Sequence, residues 1–420
     1  MQKLWILTIA MFFSVLLSAQ SPPVLTLKEC IERAELNSFK LHSDEFEISV
    51  QEQNASLAKS YAIPKVSGEL STDNRFLQPY FFSQVWASVH ADWSLGDLIQ
   101  KTGRSSSQEV ITRQLEKEQN RLNVIGRSTS LYVSIFQVKK QIEILQMRMG
   151  YLQKHYHLTN GMWKAGVRTQ LDVLQTESEM VKLKEDTARL AIVRKNLRNE
   201  LAGLLGWQNT DSLILAPINI NSVTEAPVFP VTPQSLANNP ILASFDSKVK
   251  AQQFRSEEIV ADYIPHFQLG TGYLADGDPT GDGNFWQINA SIVIPIYSGN
   301  SLDIKKQGST AILESLDSQK KEAERELMIH LIKVHEKLIK LKNLLELQNK
   351  REEITAKAVN YAEINYRAGI STNLDYLSAQ QRLTDTQLSI EETRLEYTMS
   401  LIEYYITTNQ VESIFALGNR

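Results

Sequence analysis

Few side chains in this sequence stand at a spacing that does chemistry. The stretch DGDPTGDGN, Asp276–Asn284, has the acidic rhythm of a calcium loop. An EF-hand needs flanking helices and a glutamate at its twelfth position, which counted from Asp278 is Asn289. Strand-like sequence flanks the segment instead, so it reads as a polar hairpin loop. His155 and His157 stand two apart, on different faces of a helix, and a metal would need further ligands. Both are expected to be solvated surface histidines. Gly270-Thr271-Gly272 leads into a strand and not a helix, so it is no phosphate loop. No nucleophile–base pair and no carboxylate pair in a pocket-like context occurs. No catalytic residue, cofactor or metal site is therefore expected.

Two acids, Asp172 and Asp375, belong to a phrase written twice. WKAGVRTQLDVL, Trp163–Leu174, returns as YRAGISTNLDYL, Tyr366–Leu377, 203 residues on. Gly166 and Gly369 suit turns at positive φ. Thr169 and Thr372 then cap returning helices, with Asp172 and Asp375 at the capping-box spacing. Ile63-Pro64 recurs as Ile264-Pro265, and Trp86 and Gly96 are echoed by Trp286 and Gly299. Leu131, Ile135, Val138, Ile142, Leu145, Met149 and Leu152 alternate steps of four and three, as do Leu327, Leu331, Val334, Leu338, Leu341 and Leu345. The chain is thus two copies of one plan: helix, two strands, very long helix, short turn, long helix. The first very long helix is expected from about Gln100 to about Gly161. At about 1.5 Å per residue that is on the order of 90 Å. Its apolar seam needs a partner, the helix beginning after Gly166. Between the halves, Ala216–Pro233 is Pro-rich and reads as a linker.

Composition sets the compartment. The 420 residues carry 44 basic and 48 acidic side chains, net −4, which offers no basic surface for nucleic acid. The start, MQKLWILTIAMFFSVLLSAQ, reads as a secretory signal cleaved near Ala19–Gln20. No other stretch has the roughly 18 apolar residues of a membrane helix, so any span must be built from strands. Cys30, the only cysteine, stands ten residues past that cleavage point and is no lipoprotein anchor. It lies in a helix capped by Thr26 and Glu29. In VWASVHADWSL, Val85, Ala87, Val89, Ala91, Trp93 and Leu95 point one way, and Trp86, Ser88, His90, Asp92 and Ser94 the other. In WQINASIVIPI, Trp286, Ile288, Ala290, Ile292, Ile294 and Ile296 share a face opposite Gln287, Asn289 and Ser291. Such strands suit a transmembrane barrel with a wet lumen. Open edges cannot sit in lipid, and four strands are too few to close, so closure calls for several copies of the chain.

Duplicated halves, two hairpins, heptad-like helices and a Gly-x-x-x-x-Leu-Asp-x-Leu phrase at each turn resemble the TolC-type outer-membrane efflux proteins. The resemblance implies an α+β membrane protein. It would be a homotrimer sharing a 12-strand outer-membrane β-barrel, four strands per chain, above a long periplasmic α-helical coiled-coil barrel. Along the chain this gives a signal peptide (1–19), an N-terminal equatorial helix region (20–62), barrel hairpin 1 (63–97) and helical hairpin 1 (98–206, tip near 161–170). A linker and equatorial region (207–262), barrel hairpin 2 (263–299), helical hairpin 2 (300–408, tip near 366–373) and an equatorial tail (409–420) follow.

The resemblance further implies a passive exit duct set in outer-membrane lipid. Its partners are a periplasmic adaptor and an inner-membrane pump, of the proton-driven RND or ATP-driven ABC type. Adaptor hairpins would dock at Ala165, Gly166, Val167 and Arg168 and at Ala368, Gly369, Ile370 and Ser371, with Arg168 offering charged contacts. Asp375 would line the closed periplasmic entrance, although Ser378 stands where the family has a second acid. The competing reading is a secreted coiled-coil structural or adhesive protein without transport. The exported substrate, whether drug, metal, siderophore or polypeptide, is not written in the sequence.

Overall fold

The computed structural model describes residues 24–60, 63–77, 80–94, 103–208, 210, 213–218, 231–276 and 284–417. The expected signal peptide, most of the expected linker and most of both hairpin loops lie outside the described residues. The helices are α1 (Leu27–Leu36), α2 (Phe39–Ser60), α3 (Arg104–Lys164), α4 (Gln170–Leu204), α5 (Pro240–Glu258), α6 (Ser301–Arg367), α7 (Asn373–Thr407) and α8 (Val411–Leu417). The strands are β1 (Val24–Leu25), β2 (Lys65–Leu77), β3 (Tyr80–Ser94), β4 (Ile214–Leu215), β5 (His266–Asp276) and β6 (Phe285–Val293). Among the described residues no helix is long and apolar enough to cross a membrane.

The two compact units do not follow the two sequence halves. One comprises Met1–Phe39, Arg121–Leu236 and Met328–Arg420, the other Lys40–Asn120 and Ala237–Leu327. Each therefore draws on both halves.

The first unit is held by apolar seams. Leu131, Ile135, Val138, Ile142, Leu145 and Leu152 of α3 are buried, as are Leu331, Val334, Leu338, Leu341 and Leu345 of α6. Each such side chain stabilises by roughly 1.5–3 kcal/mol. Near the chain start, Thr26 and Glu29 form the expected capping box, and α1 buries Leu27, Cys30, Ile31 and Ala34. Burial pushes the Cys30 thiol up to about 12, which leaves it an inert core residue. A two-residue parallel pairing of β1 with β4 was not foreseen in the sequence. Tyr132 of α3 fastens it, its hydroxyl donating to Ala216 O at 2.6 Å.

The helical part of the second unit is stitched by small polar groups. Ser247 receives Thr112 Oγ1 at 2.9 Å and Gln108 Nε2 at 2.8 Å, and Gln252 Nε2 donates to Ser309 Oγ at 3.0 Å. Asp44 accepts from Lys40 at 2.7 Å and from Asn120 at 2.8 Å. Buried Ser105, Ser244 and Ala251 keep the helices close.

The same unit carries a four-stranded antiparallel sheet in the order β2-β3-β5-β6. Its register sorts the side chains onto two faces, because residues paired across strands share a face. Val66, Leu70, Val85, Val89, Leu269, Tyr273, Trp286, Ile288 and Ile292 fall on one face. Leu70, Trp286 and Ile288 are 78%, 74% and 77% exposed there. Ser67, Glu69, Ser88, His90, Gln268, Gln287, Asn289 and Ser291 fall on the other. On this polar face Gly270 and Gly272 leave room for neighbours. A Cβ at Gly272 would lie 2.9 Å from Ser88 Cβ and 3.0 Å from Trp86 Cζ2. β2 and β6 each present an edge with no strand partner among the described residues.

Two boundaries differ from expectation. β6 stops at Val293, so Ile294 and Ile296 lie outside the strand. Proline 295 has no N–H for the ladder, and β5 begins only at His266, paired with Val293. Helix α3 starts at Arg104 and runs through Gly161 to Lys164.

Gly272→Val overpacks the polar face, where Ala87 O also lies 3.2 Å from the added Cβ. A loss of about 1–3 kcal/mol is expected, seen as a lower thermal midpoint of the detergent-solubilised protein by tryptophan fluorescence. An unchanged midpoint would contradict the packing.

Candidate functional site at the helical turns

Both turns are built alike. In the first, Gly166 N–H donates to Trp163 O at 2.8 Å and Val167 N–H to Met162 O at 2.9 Å. In the second, Gly369 N–H donates to Tyr366 O at 3.1 Å and Ile370 N–H to Asn365 O at 2.9 Å. This is the Schellman pattern, which needs a left-handed residue after the helix. Gly166 has φ +76 and Gly369 φ +78. The returning helices open on the expected capping boxes. Thr169 N–H donates to Asp172 Oδ2 at 3.2 Å, and Thr372 N–H to Asp375 Oδ2 at 2.8 Å. The Thr372 hydroxyl, and then its backbone N–H, hold the Asp375 carboxyl below its usual value. Asp375 is exposed, as are Ala165, Gly166, Val167, Ala368, Gly369 and Ile370.

The turns are not independent of each other. Arg168, expected to be free for charged contacts with a partner, is engaged inside the chain. Its Nη2 donates to Tyr366 O at 2.8 Å and to Ser371 O at 3.2 Å. The guanidinium lies 4.4 Å from the centre of the Tyr366 ring. Asn373, the first residue of α7, supplies a second tie that the sequence reading missed. Its Nδ2 donates to Asp172 O at 2.9 Å and Gln175 Oε1 at 3.2 Å, and its Oδ1 lies 2.8 Å from His155 Nε2.

His155 corrects an expectation. It is 4% exposed and not a solvated surface residue, whereas His157 is exposed as expected. The ring stacks on Tyr376 at 4.0 Å and tilts against Tyr366 at 4.8 Å. The alternating steps of α3 would next reach Tyr156, so the sequence set His155 one position off the seam that it joins with Leu152 and Thr159. For Asn373 no signal existed either, since its counterpart, Gln170, is exposed. Below the turns a groove between α4 and α7 is lined by Gln175, Glu179, Lys182, Leu374, Gln381 and Arg382. Among the described residues no cluster of His, Cys, Asp or Glu is placed to hold a metal. Residues 277–283 of the acidic loop are outside them.

Residues 30–207 and 231–405 match the protein family described as outer membrane efflux protein. The chain belongs to that family. Its members are transport channels, and the TolC-like resemblance read from the repeated phrase holds. The pyoverdine export outer membrane protein OpmQ of Pseudomonas putida is 21% identical over 335 residues, 76% of this chain and 69% of its own. The alkaline protease secretion protein AprF of Pseudomonas aeruginosa is 20% identical over 337 residues, again 76% of this chain but 65% of its own length. Among solved structures, CusC superposes with a TM-score of 0.81 at 14% identity, covering 94% of this chain and 95% of its own. The open state of the MtrE outer membrane channel of Neisseria gonorrhoeae gives 0.77 at 14% identity, covering 91% and 88%. At such identities the structural likeness fixes the fold, a TolC-like arrangement of strands and coiled-coil helices.

Thr169→Ala and Thr372→Ala each remove one cap, worth about 1 kcal/mol. Amide exchange in the first turn of α4 or α7 respectively is expected to quicken about fivefold. For α7 the carboxylate's contribution is present above its ordinary value and is lost as pH falls through its depressed one. Unchanged exchange would contradict the capping.

Proposed function

We propose that the chain is one protomer of a homotrimeric outer-membrane exit duct. One observation carries the reading: a sheet with one apolar and one polar face and two edges that have no strand partner among the described residues. In hydrocarbon such edges must be closed. Because β2 and β6 run in opposite directions, β6 of one copy can continue antiparallel to β2 of the next. Two copies would give eight strands, an interior that side chains fill; three copies of four give twelve and leave a lumen. Glu69, Ser88, His90 and Asn289 would face that lumen, and Leu70, Trp286 and Ile288 the lipid.

The helices support the same closure. On α6 a second apolar row, Ile332, Ile339, Leu347, Ile354 and Tyr361, is exposed, and on α4 Leu171, Leu174, Val181 and Ile192 are exposed. Neighbouring copies would cover both rows, making a periplasmic helical barrel. The chain would reach its place behind the cleaved signal, with Cys30 playing no anchoring part.

The turns are the proposed dock for a periplasmic adaptor, which links the duct to an inner-membrane pump of RND or ABC type. Val167 and Ile370, 63% and 77% exposed, offer its hairpins an apolar contact beside Gly166 and Gly369. Engagement would splay the inner helices. Asp375, exposed at the start of α7, would line the entrance and favour cations. Relatives named for pyoverdine export and for protease secretion support a duct whose cargo is chosen by its pump.

Membrane fractionation of wild type and Gly369→Asp tests the duct and its dock together. Both are expected in the outer membrane as a heat-modifiable trimer, with export lost only in the variant. A soluble monomer contradicts the duct, and unchanged export by Gly369→Asp contradicts the dock. For the gate, Asp375→Ala is expected to weaken block of planar-bilayer currents by multivalent cations; equal block removes Asp375 from the entrance.

A further inference from the structure

The tie between the two turns passes through a buried titratable group. Asn373 fixes its chemistry. Its Nδ2 faces two acceptors, Asp172 O and Gln175 Oε1, so Oδ1 is the atom turned to His155. Oδ1 only accepts, so His155 Nε2 must donate, which assigns the neutral ring its proton at Nε2. Thr176 Oγ1, which donates to Asp172 O at 2.9 Å, lies 3.4 Å from the same Oδ1, and Thr159 Oγ1 bridges His155 Nε2 at 3.4 Å to the Tyr366 hydroxyl at 3.1 Å. Four helices, α3, α4, α6 and α7, thus meet at one histidine–asparagine contact.

The surroundings are suited to the neutral ring. Tyr366 and Tyr376 close on it from α6 and α7. The charged groups that reach it are Glu363 and Arg367 from α6 and Asp172 from α4, and each is engaged elsewhere. Glu363 pairs with Arg367 at 2.6 Å, Asp172 caps Thr169, and Arg168 covers the Tyr366 ring. No carboxylate is hydrogen-bonded to the imidazole to receive a second proton's charge.

We propose that His155 is a proton-operated latch: neutral, it joins the two helical turns through Asn373, and protonation at Nδ1, which leaves the Nε2–H bond in place but sets a charge with no bonded carboxylate between Tyr366 and Tyr376, releases them. Burial lowers the His155 value, against smaller opposing pulls from Asn373, Glu363 and Asp172. A group depressed in the joined state favours that state at neutral pH. It works against it as pH falls through the value of the freed ring. The join itself stands on the geometry alone. That its release eases opening of a duct rests on the exit-duct reading.

Amide exchange over residues 151–160 and 363–377 of the full-length protein in detergent, at pH 7.5 and 5.5 and corrected for intrinsic rates, reads the latch. Wild type and the exposed-site control His157→Gln are expected to lose protection several-fold on acidification. One proton limits the change to about tenfold per pH unit. His155→Gln keeps a donor to Asn373 without titrating, and its protection is expected to be the same at both pH values. Asn373→Asp sets a carboxylate against the ring and is expected to hold the join through the same acidification. Equal protection in wild type at both pH values, or an acid loss in His155→Gln matching wild type, would overturn the latch. Single-channel currents in planar bilayers separate the two readings. Acid-raised opening in wild type and His157→Gln, but not in His155→Gln, supports both. A complete absence of channels in every protein contradicts the duct while the exchange result still decides the latch.

Discussion

A backbone N–H or C=O placed in hydrocarbon without a partner costs several kcal/mol, and a strand edge exposes a whole row of them. The sheet of this chain has two edges, on β2 and β6, with no strand partner among the described residues, and an exposed apolar face. Almost every other feature answers that constraint. On the proposed exit-duct reading a single chain cannot satisfy it, and the unit of function would be an assembly. The sheet alternates direction from β2 to β6, so identical copies can be added in register of direction. The helices repeat the theme, carrying one apolar row buried within the chain and a second exposed, which a neighbour would cover on the proposed reading.

The two units meet their packing demands differently. Around α1, α7 and the later parts of α3 and α6, the seams are aliphatic and aromatic, with Tyr132, Tyr366, Tyr397 and Tyr404 fully buried. Beside the sheet, the helices approach through Ser, Thr, Ala and Gln and are pinned by hydrogen bonds. Duplication supplied both halves with the same turns, and later divergence made them unequal. Tyr366 is fully buried where its counterpart Trp163 is 38% exposed, and Arg168 faces it from the other turn. Identical turns would simply sit side by side; unequal ones can bind each other.

What the sequence disclosed was local in origin. Turn glycines, capping threonines and the four-three seam depend on residues within one or two turns, and Gly166, Gly369, Thr169, Thr372 and the buried row of α3 stand where they were expected. Alternation placed Val85 and Ile288 on the apolar face for the same reason. Contacts between distant segments left weaker traces. His155 stood one position off the four-three seam, and its spacing from His157 with no further ligands argued for the surface. Asn373 and Arg168 acquire partners more than 190 residues away, and nothing in their neighbours announces this. The β1–β4 pairing is two residues long, too short for any period to register.

Closure by identical copies is the claim on which the account stands. It is tested by paired cysteines, one placed along β2 and one along β6, in a chain whose buried Cys30 is replaced by Ala. Oxidation in outer-membrane vesicles is expected to link chain to chain and to stop at covalent trimers with no free edge remaining. Disulfides formed within one chain, or no linkage at any pair along the two strands, would contradict it.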